Sequence, residues 1–148
     1  MPAVSEPSLP HTWRPLGVRL AGIIFGGALL FVCAFAWFAF DEETRAKFTP
    51  FQRGTIVFIG LLFFSAGFAM ARSRVVAEVD RLVIVNGYRR HDYEWAEVLA
   101  VHLPPGAPWA VLDLADGTSQ PAMGMQGSDG GRARRAVAEL RLLIARPG

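Results

Sequence analysis

Hydrophobic and polar positions divide the chain into two unlike halves. Long unbroken hydrophobic runs fill the first half, whereas the second half alternates apolar and polar residues with the period of strands. Near the C-terminus the spacing changes to three and four residues, which is typical of an amphipathic helix. The pattern predicts long apolar helices followed by a small sheet-rich domain, and 148 residues leave room for about one such domain.

Two uncharged runs predict membrane-spanning helices. The first holds 21 residues (20–40) and the second holds 18 (54–71). At 1.5 Å per residue they reach about 30 Å, the thickness of the hydrocarbon core. Two such runs in a short chain, hydrophobic on every face, cannot both be buried in a soluble fold. The sequence therefore predicts a transmembrane hairpin over 16–71, with helices at about 18–40 and 54–71 joined by the loop 41–53.

The first run has two competing interpretations. A signal peptide is suggested by the preceding arginines and by the small-x-small step at 34–36, but the run is longer than the usual apolar region and a second run follows. A lipoprotein acylation site at Cys33 would need a small residue where Val32 stands. We therefore interpret the run as an uncleaved helix and Cys33 as an ordinary buried residue within it.

Charges beside the helices predict the orientation. The short loop makes the two helices antiparallel, so both termini lie on one side. Basic residues favour the cytoplasmic side of a membrane, and seven flank the helix pair against three in the loop. This bias predicts a multi-pass protein of the inner (plasma) membrane with both termini in the cytoplasm. The flanking residues are Arg14, Arg19, Arg72, Arg74, Arg81, Arg89 and Arg90, and those of the loop are Arg45, Lys47 and Arg53.

The segment before the first helix has no recognisable periodicity. Residues 1–12 hold three prolines and few apolar side chains, so residues 1–15 are predicted to be a flexible tail. Trp13 follows at the expected membrane surface, where tryptophan is enriched. We therefore predict that Trp13 belongs to an interfacial aromatic belt.

Small residues within the spans indicate a helix-packing surface. Glycines at such spacing let another helix approach closely, and the partner is either the second span or another chain. Neither span carries an ionisable residue, which argues against an ion or proton pathway. The candidate packing residues are Gly22, Gly26, Gly27, Gly60 and Gly67.

The second half, residues 72–148, is predicted to be a separate α+β domain. Asn86-Gly87 and Asp116-Gly117 each separate two apolar runs, which predicts two hairpins with type I′ turns. Ser128 or Asp129 can cap a C-terminal amphipathic helix. About six antiparallel strands closed by this helix suggest a bent sheet or split barrel. The expected structural anchors are Asn86, Gly87, Trp95, Trp109, Asp116 and Gly117.

Five segments of the second half carry a family resemblance. They are LVIVNG at 82–87, YRRH at 88–91, YEWAEV at 93–98, PPGAPW at 104–109 and LDLADGT at 112–118. Residues from about 72 to 145 resemble the bacterial pleckstrin-homology-like (PH-like) domain of the actinobacterial low molecular weight protein antigen 6 group, whose members carry two membrane helices before the domain. The resemblance implies a PH-like fold without established enzymatic activity. Eukaryotic domains of this fold bind phosphoinositides around the first hairpin loop, but Asp80-Arg81 is too short and too acidic there for such specificity.

Catalytic and metal-binding motifs are absent from the sequence. A single cysteine excludes a disulfide framework, and no phosphate-binding loop or nucleophile motif is present. A small hydrolase would have to use His91, His102, Asp113 or Asp116. We therefore predict no catalytic residues, no cofactor and no metal site.

The remaining chemistry is that of the arginines. Arg72 and Arg74 stand at the membrane exit, where contact with anionic lipid headgroups is expected without specificity. Nucleic acid is not an expected partner, because residues 72–148 hold ten arginines against nine acids. The sequence predicts a non-enzymatic adaptor that binds another membrane or cytoplasmic protein by a strand edge or by the groove beside the C-terminal helix. The alternative is an accessory subunit of a larger membrane complex, packed through Gly22 and Gly26.

Overall fold

A computed structural model describes residues 3–147, and over these residues the chain forms four α-helices, seven strands and two short 3-10 helices. The order is β1 (His11–Trp13), α1 (Gly17–Ala39), α2 (Glu42–Lys47), α3 (Pro50–Arg72), β2 (Arg74–Ala77), β3 (Arg81–Asn86), β4 (Arg89–Glu94), β5 (Val98–His102), β6 (Trp109–Leu114), β7 (Ser119–Gln126) and α4 (Gly131–Ile144).

The two long helices α1 and α3 carry the uncharged runs. Each has 23 residues, and neither buries a side chain within the protein. The loop between them contains the short helix α2, whose first turn is capped by Asp41. α3 begins before the uncharged run because Thr49 and Gln52 form a reciprocal capping box and Pro50 suits the first helical position.

The strands form two antiparallel sheets that α4 closes. One sheet has the order β1-β2-β3-β4 and the other β5-β6-β7. This architecture confirms the predicted fold class, two long apolar helices followed by a sheet-rich domain with a C-terminal helix. Seven strands are present instead of about six. The largest fully buried apolar side chains of the core are Leu82, Ile84, Leu112, Met125 and Leu140.

The additional strand, β1, lies before the two long apolar helices. Its Trp13 stands opposite Val75 of β2 and is only 7% exposed, and its indole Nε1 donates a hydrogen bond to Glu139 of α4 at 2.8 Å. The predicted flexible tail is therefore wrong for residues 11–13, and Trp13 is a core residue and not part of an interfacial belt. The free edge of β2 and the apolar space beneath it give this short segment a place to pair. Residues 1 and 2 of the predicted tail lie outside the described residues.

The hairpin of α1 and α3 is thus an insertion between two neighbouring strands of one sheet. Three residues, 14–16, join β1 to α1, and Ser73 alone joins α3 to β2. Asp129 accepts hydrogen bonds from the backbone N–H groups of Leu16 (2.9 Å) and Gly17 (2.7 Å), so it caps α1 and not α4. The domain comprises β1 together with residues 72–147, and it holds both ends of the hairpin.

Both predicted hairpins are present, but neither has the predicted type I′ turn. At the β3–β4 turn, the residues between the paired Asn86 and Arg89 are Gly87 and Tyr88, and only Gly87 has a positive φ, of 62°. A positive φ confined to a first central glycine is typical of type II′. At the β6–β7 turn, Gly117 has a φ of 85° and closes a three-residue loop. Both hairpins need glycine, but at one position each.

Candidate functional site

An apolar groove opens where the β2–β3 turn, β5 and the end of α4 meet. Its volume is about 650 Å³. Trp95 forms one wall and is held by a hydrogen bond from its Nε1 to the carbonyl of Glu78 at 3.0 Å. The other apolar lining residues include Val79, Val98, Leu99, Leu143 and Ile144. Arg146 also lines the groove, and its Nε lies 2.9 Å from Glu6 Oε1.

The groove presents hydrophobic side chains to solvent. Val79 is 77% exposed and Leu99 is 60% exposed. Val79 lies beside the end of β3 that is opposite the β3–β4 turn, and that turn contacts α3. The groove is therefore on the end of the domain that points away from the apolar helices.

Strand edges are less available than the groove. Arg141 of α4 donates from Nε to the carbonyl of Val101 at 3.0 Å, which occupies an acceptor on the outer edge of β5. β4, the edge of the other sheet, carries the pair Arg90 and Asp92 at 2.7 Å. Their hydrogen bond holds the pKa of Asp92 below its ordinary value and raises that of Arg90. Charges on an edge strand oppose pairing with other strands, so β4 does not favour strand addition, and the bond from Arg141 obstructs it at β5.

Arg72 and Arg74, predicted to contact lipid, are both half-buried. Arg72 donates from Nη1 to the carbonyl of Gly87 at 2.9 Å and its guanidinium stacks over Tyr88. Arg74 donates to the carbonyl of Arg72 at 3.4 Å. The structure therefore gives Arg72 a structural role, because it fastens the β3–β4 turn to the end of α3.

Asn86 and Gly87 also help to hold the β3–β4 turn in place. The Asn86 side chain donates to the carbonyl of Pro121 and accepts from the N–H of Met123, which joins the two sheets. The N–H of Gly87 donates to the buried Ser73 hydroxyl at 2.9 Å. A Cβ on Gly87 would lie 3.3 Å from that of Ala69, so the turn packs directly on α3.

The predicted packing glycines of the spans face open space. A Cβ placed on any of them would meet no other described atom within 4 Å, apart from its own helix backbone and chain neighbours. They therefore do not mediate the contact between α1 and α3. Cys33 likewise lies on the outer surface of α1 and not in a buried position. The glycines are Gly22, Gly26, Gly27, Gly60 and Gly67.

The other predicted anchors have local structural contacts. Asp116 accepts from the N–H (2.9 Å) and hydroxyl (2.6 Å) of Thr118, and these bonds lower the pKa of its carboxyl group. Trp109 is half-buried and stands opposite Gln126 in the β6–β7 ladder. These contacts explain the turn and the ladder and bring no reactive groups together.

Two histidine–carboxylate pairs are present among the described residues of the domain. His11 Nε2 lies 3.9 Å from Glu139 Oε2, and the second pair has a serine close to its carboxylate. His102 Nε2 lies 3.1 Å from Asp113 Oδ2, and Ser119 stands opposite Asp113 on the next strand. The carboxylate is therefore placed between the histidine and the serine, whereas activation of a serine requires the histidine in the middle. Over residues 3–147, no cluster of three His, Cys, Asp or Glu side chains is arranged to hold a metal ion.

Of the groove residues, the sequence analysis singled out Trp95 as a structural anchor but not Val79 or Leu99, although it did predict the groove beside the terminal helix. Val79 interrupts the acidic turn between Glu78 and Asp80, and Leu99 faces outward on β5. The sequence signal that could have identified these two residues is an apolar side chain at a position where the pattern requires a polar one. The sequence also gave no indication of Asp129 as a cap for α1.

Comparison with known proteins agrees with this architecture. A family model described as a bacterial PH domain matches residues 72–143. Uncharacterized proteins of Mycobacterium tuberculosis and Mycobacterium bovis are each 35% identical over 143 residues, covering 93% of this chain and 86% of the relative. The chain belongs to their family and carries a bacterial PH domain.

The bacterial PH domain defined by the family match begins at residue 72 and omits β1. In the structure, the first strand of the domain precedes the hairpin of α1 and α3. No solved structure matches the chain significantly. The family assignment supports a non-enzymatic module, and none of the matched relatives carries a named activity.

Proposed function

We propose that this protein is a membrane-anchored adaptor whose PH domain binds a segment of another protein in the apolar groove. The single observation that carries the proposal is the exposure of Val79 and Leu99 on the end of the domain away from the apolar helices. Hydrophobic side chains clustered around a groove in water are typical of protein interaction sites. The expected partner presents apolar side chains from a cytoplasmic segment.

The anchor in this proposal is the hairpin of α1 and α3. Both helices are long and apolar enough to cross a membrane, and their side chains are exposed in the isolated chain. Burial in lipid would remove this apolar surface from water. The domain then stands at the membrane surface with the groove directed into the cytoplasm.

Orientation can be measured with reporter fusions. Because seven basic residues flank the helix pair and three lie in the loop, an alkaline phosphatase fused after residue 147 should be inactive and one fused after Lys47 should be active. The reverse pattern would place the domain outside the cytoplasm.

Partner binding can be measured by crosslinking in living cells. A photoreactive amino acid at Leu99 of the full chain should form one discrete adduct with a second protein, identified by mass spectrometry. Val79→Asp should abolish this adduct, because it puts a charge into the apolar groove. Val79 is exposed, so the variant should retain the unfolding midpoint of the parent.

The matched control carries the same photoreactive residue at Asp116, which is exposed on the β6–β7 turn. We expect no adduct of the same mass there. An identical adduct from both positions, or one unchanged by Val79→Asp, would show that the groove is not the binding site.

Two finer assignments remain part of the proposal. Kinship with the antigen 6 group is supported by the sequence segments of the PH domain. An accessory-subunit role through Gly22 and Gly26 has only the open space beside these glycines in its favour, so the groove is the preferred site of interaction.

A further inference from the structure

The β3–β4 turn contacts α3 three to seven residues before the C-terminal residue of that helix, Arg72. Gly87 packs against Ala69, and the Tyr88 hydroxyl donates to the carbonyl of Ser65 at 3.0 Å. The Ser65 hydroxyl also lies 2.7 Å from the Tyr88 hydroxyl. The turn and its tyrosine therefore lie alongside the last two turns of α3.

Helix geometry gives the depth of these contacts. At 1.5 Å per residue, Ala69 lies about 4–5 Å and Ser65 about 10 Å before Arg72 along the helix axis. The uncharged run 54–71 has 18 residues and spans only about 27 Å, so nearly all of it is needed to cross a hydrocarbon core of about 30 Å. Ser65 must then be within the bilayer, and the Tyr88 hydroxyl lies at the same level.

Three polar groups of the turn have hydrogen-bond partners on α3 or on Ser73 beside it, which suits a low-polarity environment. The Gly87 N–H is bonded to Ser73, the Gly87 carbonyl to Arg72 and the Tyr88 hydroxyl to Ser65. Unpaired polar groups cost several kcal/mol in hydrocarbon. Tyr88 nevertheless remains 60% exposed, so the face of the turn turned away from α3 is uncovered by protein.

We propose that the β3–β4 turn is a membrane-inserted element and that its partner is the lipid bilayer. The turn backbone lies at the interface, and the Tyr88 ring, with its polar end bonded to α3, reaches into the upper acyl chains. Tyrosine is enriched at this level of membranes. The domain is then partly embedded in the membrane surface, and the inserted turn fixes the direction in which the groove points.

Depth can be measured with single-cysteine variants of the full chain. Cys33, the one native cysteine, is replaced by alanine, and a cysteine at Tyr88 is labelled with an environment-sensitive fluorophore. The protein is reconstituted in phosphatidylethanolamine–phosphatidylglycerol vesicles containing a lipid with a nitroxide near the top of its acyl chain. We expect the label at residue 88 to lose at least half of its emission. Arg89→Cys, which retains Tyr88, should give a similar loss and serves if Tyr88→Cys does not fold.

The matched control is Asp80→Cys in the turn at the opposite end of β3, about 20 Å away by strand length. It should lose almost no emission. A loss at residues 88 and 89 no greater than that at residue 80 would overturn the proposal.

The proposal rests on the membrane hairpin of the proposed function, so a second label separates the two. Leu62→Cys, in the middle of α3, should be quenched most strongly by a nitroxide near the end of the acyl chain. No quenching at Leu62 means that the hairpin does not span the bilayer, and both proposals then fail. Quenching at Leu62 without quenching at residues 88 and 89 rejects the inserted turn alone.

Discussion

A fragment of residues 72–147 should fail to reach the native fold, whereas a chain joining residues 3–14 to residues 74–147 through an Asn-Gly turn should fold in water. The fragment lacks β1, so the space that Trp13 fills in the core is left empty and β2 becomes an unpaired edge strand. In the joined chain, a β-turn replaces the whole hairpin of α1 and α3. A short turn is sufficient because Trp13 and Val75 are already paired as antiparallel neighbours. Dispersion of amide NMR signals and cooperative urea unfolding measure the difference.

The matched control for the joined chain has the order of residues 3–14 shuffled. It has the same length and composition, so any difference reports the pairing of β1. We expect it to resemble the shorter fragment. A cooperative transition and dispersed signals from residues 72–147 alone would contradict the assignment of β1 to the domain.

Trp13→Ala should be among the most destabilising single substitutions in the domain. In the joined soluble chain we expect a loss of about 3–5 kcal/mol in the free energy of unfolding, as is typical when a buried tryptophan is truncated. The hydrogen bond from its indole to Glu139 is lost as well. Urea unfolding followed by circular dichroism measures the loss independently of tryptophan fluorescence.

Two further variants test whether the loss of stability comes from the burial of Trp13 or would follow from any substitution in the domain. Trp13→Phe retains an aromatic side chain but loses the indole N–H, and should cost less than Trp13→Ala. Val79→Ala, at an exposed position, should change the free energy of unfolding by no more than about 0.5 kcal/mol. If Trp13→Ala and Val79→Ala had equal effects, Trp13 would not be part of the core.

Local sequence was sufficient to predict the elements whose structure is determined by the residues within them. The spans follow from uncharged runs, and the two hairpins from glycine beside Asn86 and Asp116. Strand β1 could not be predicted in this way, because three residues are too few to show a period and its partner β2 follows only after the entire membrane hairpin. A short strand adjoining a preformed edge is specified by tertiary contact and not by propensity.

The candidate site was also predictable only where it depends on local sequence. The groove beside the terminal helix was expected from the amphipathic pattern of α4, but its exposed residues come from β5 and a turn as well. The contact of Arg72 with Gly87 joins residues 15 positions apart, and nothing in the local pattern indicates it. Position at a membrane exit predicted lipid contact for this arginine, while the fold also uses it to hold the turn.

With α1 and α3 anchored in a membrane as proposed, the position of β1 before the hairpin makes completion of the domain dependent on the insertion of both helices. During synthesis, β1 must wait until both spans and β2 have been made before it can pair. A chain with only one span inserted would hold β1 and β2 on opposite sides of the membrane, and cleavage near residue 36 would separate them permanently. Either error leaves the core without Trp13, so an incorrectly inserted chain would expose an unfinished sheet to the proteases that remove unfolded protein.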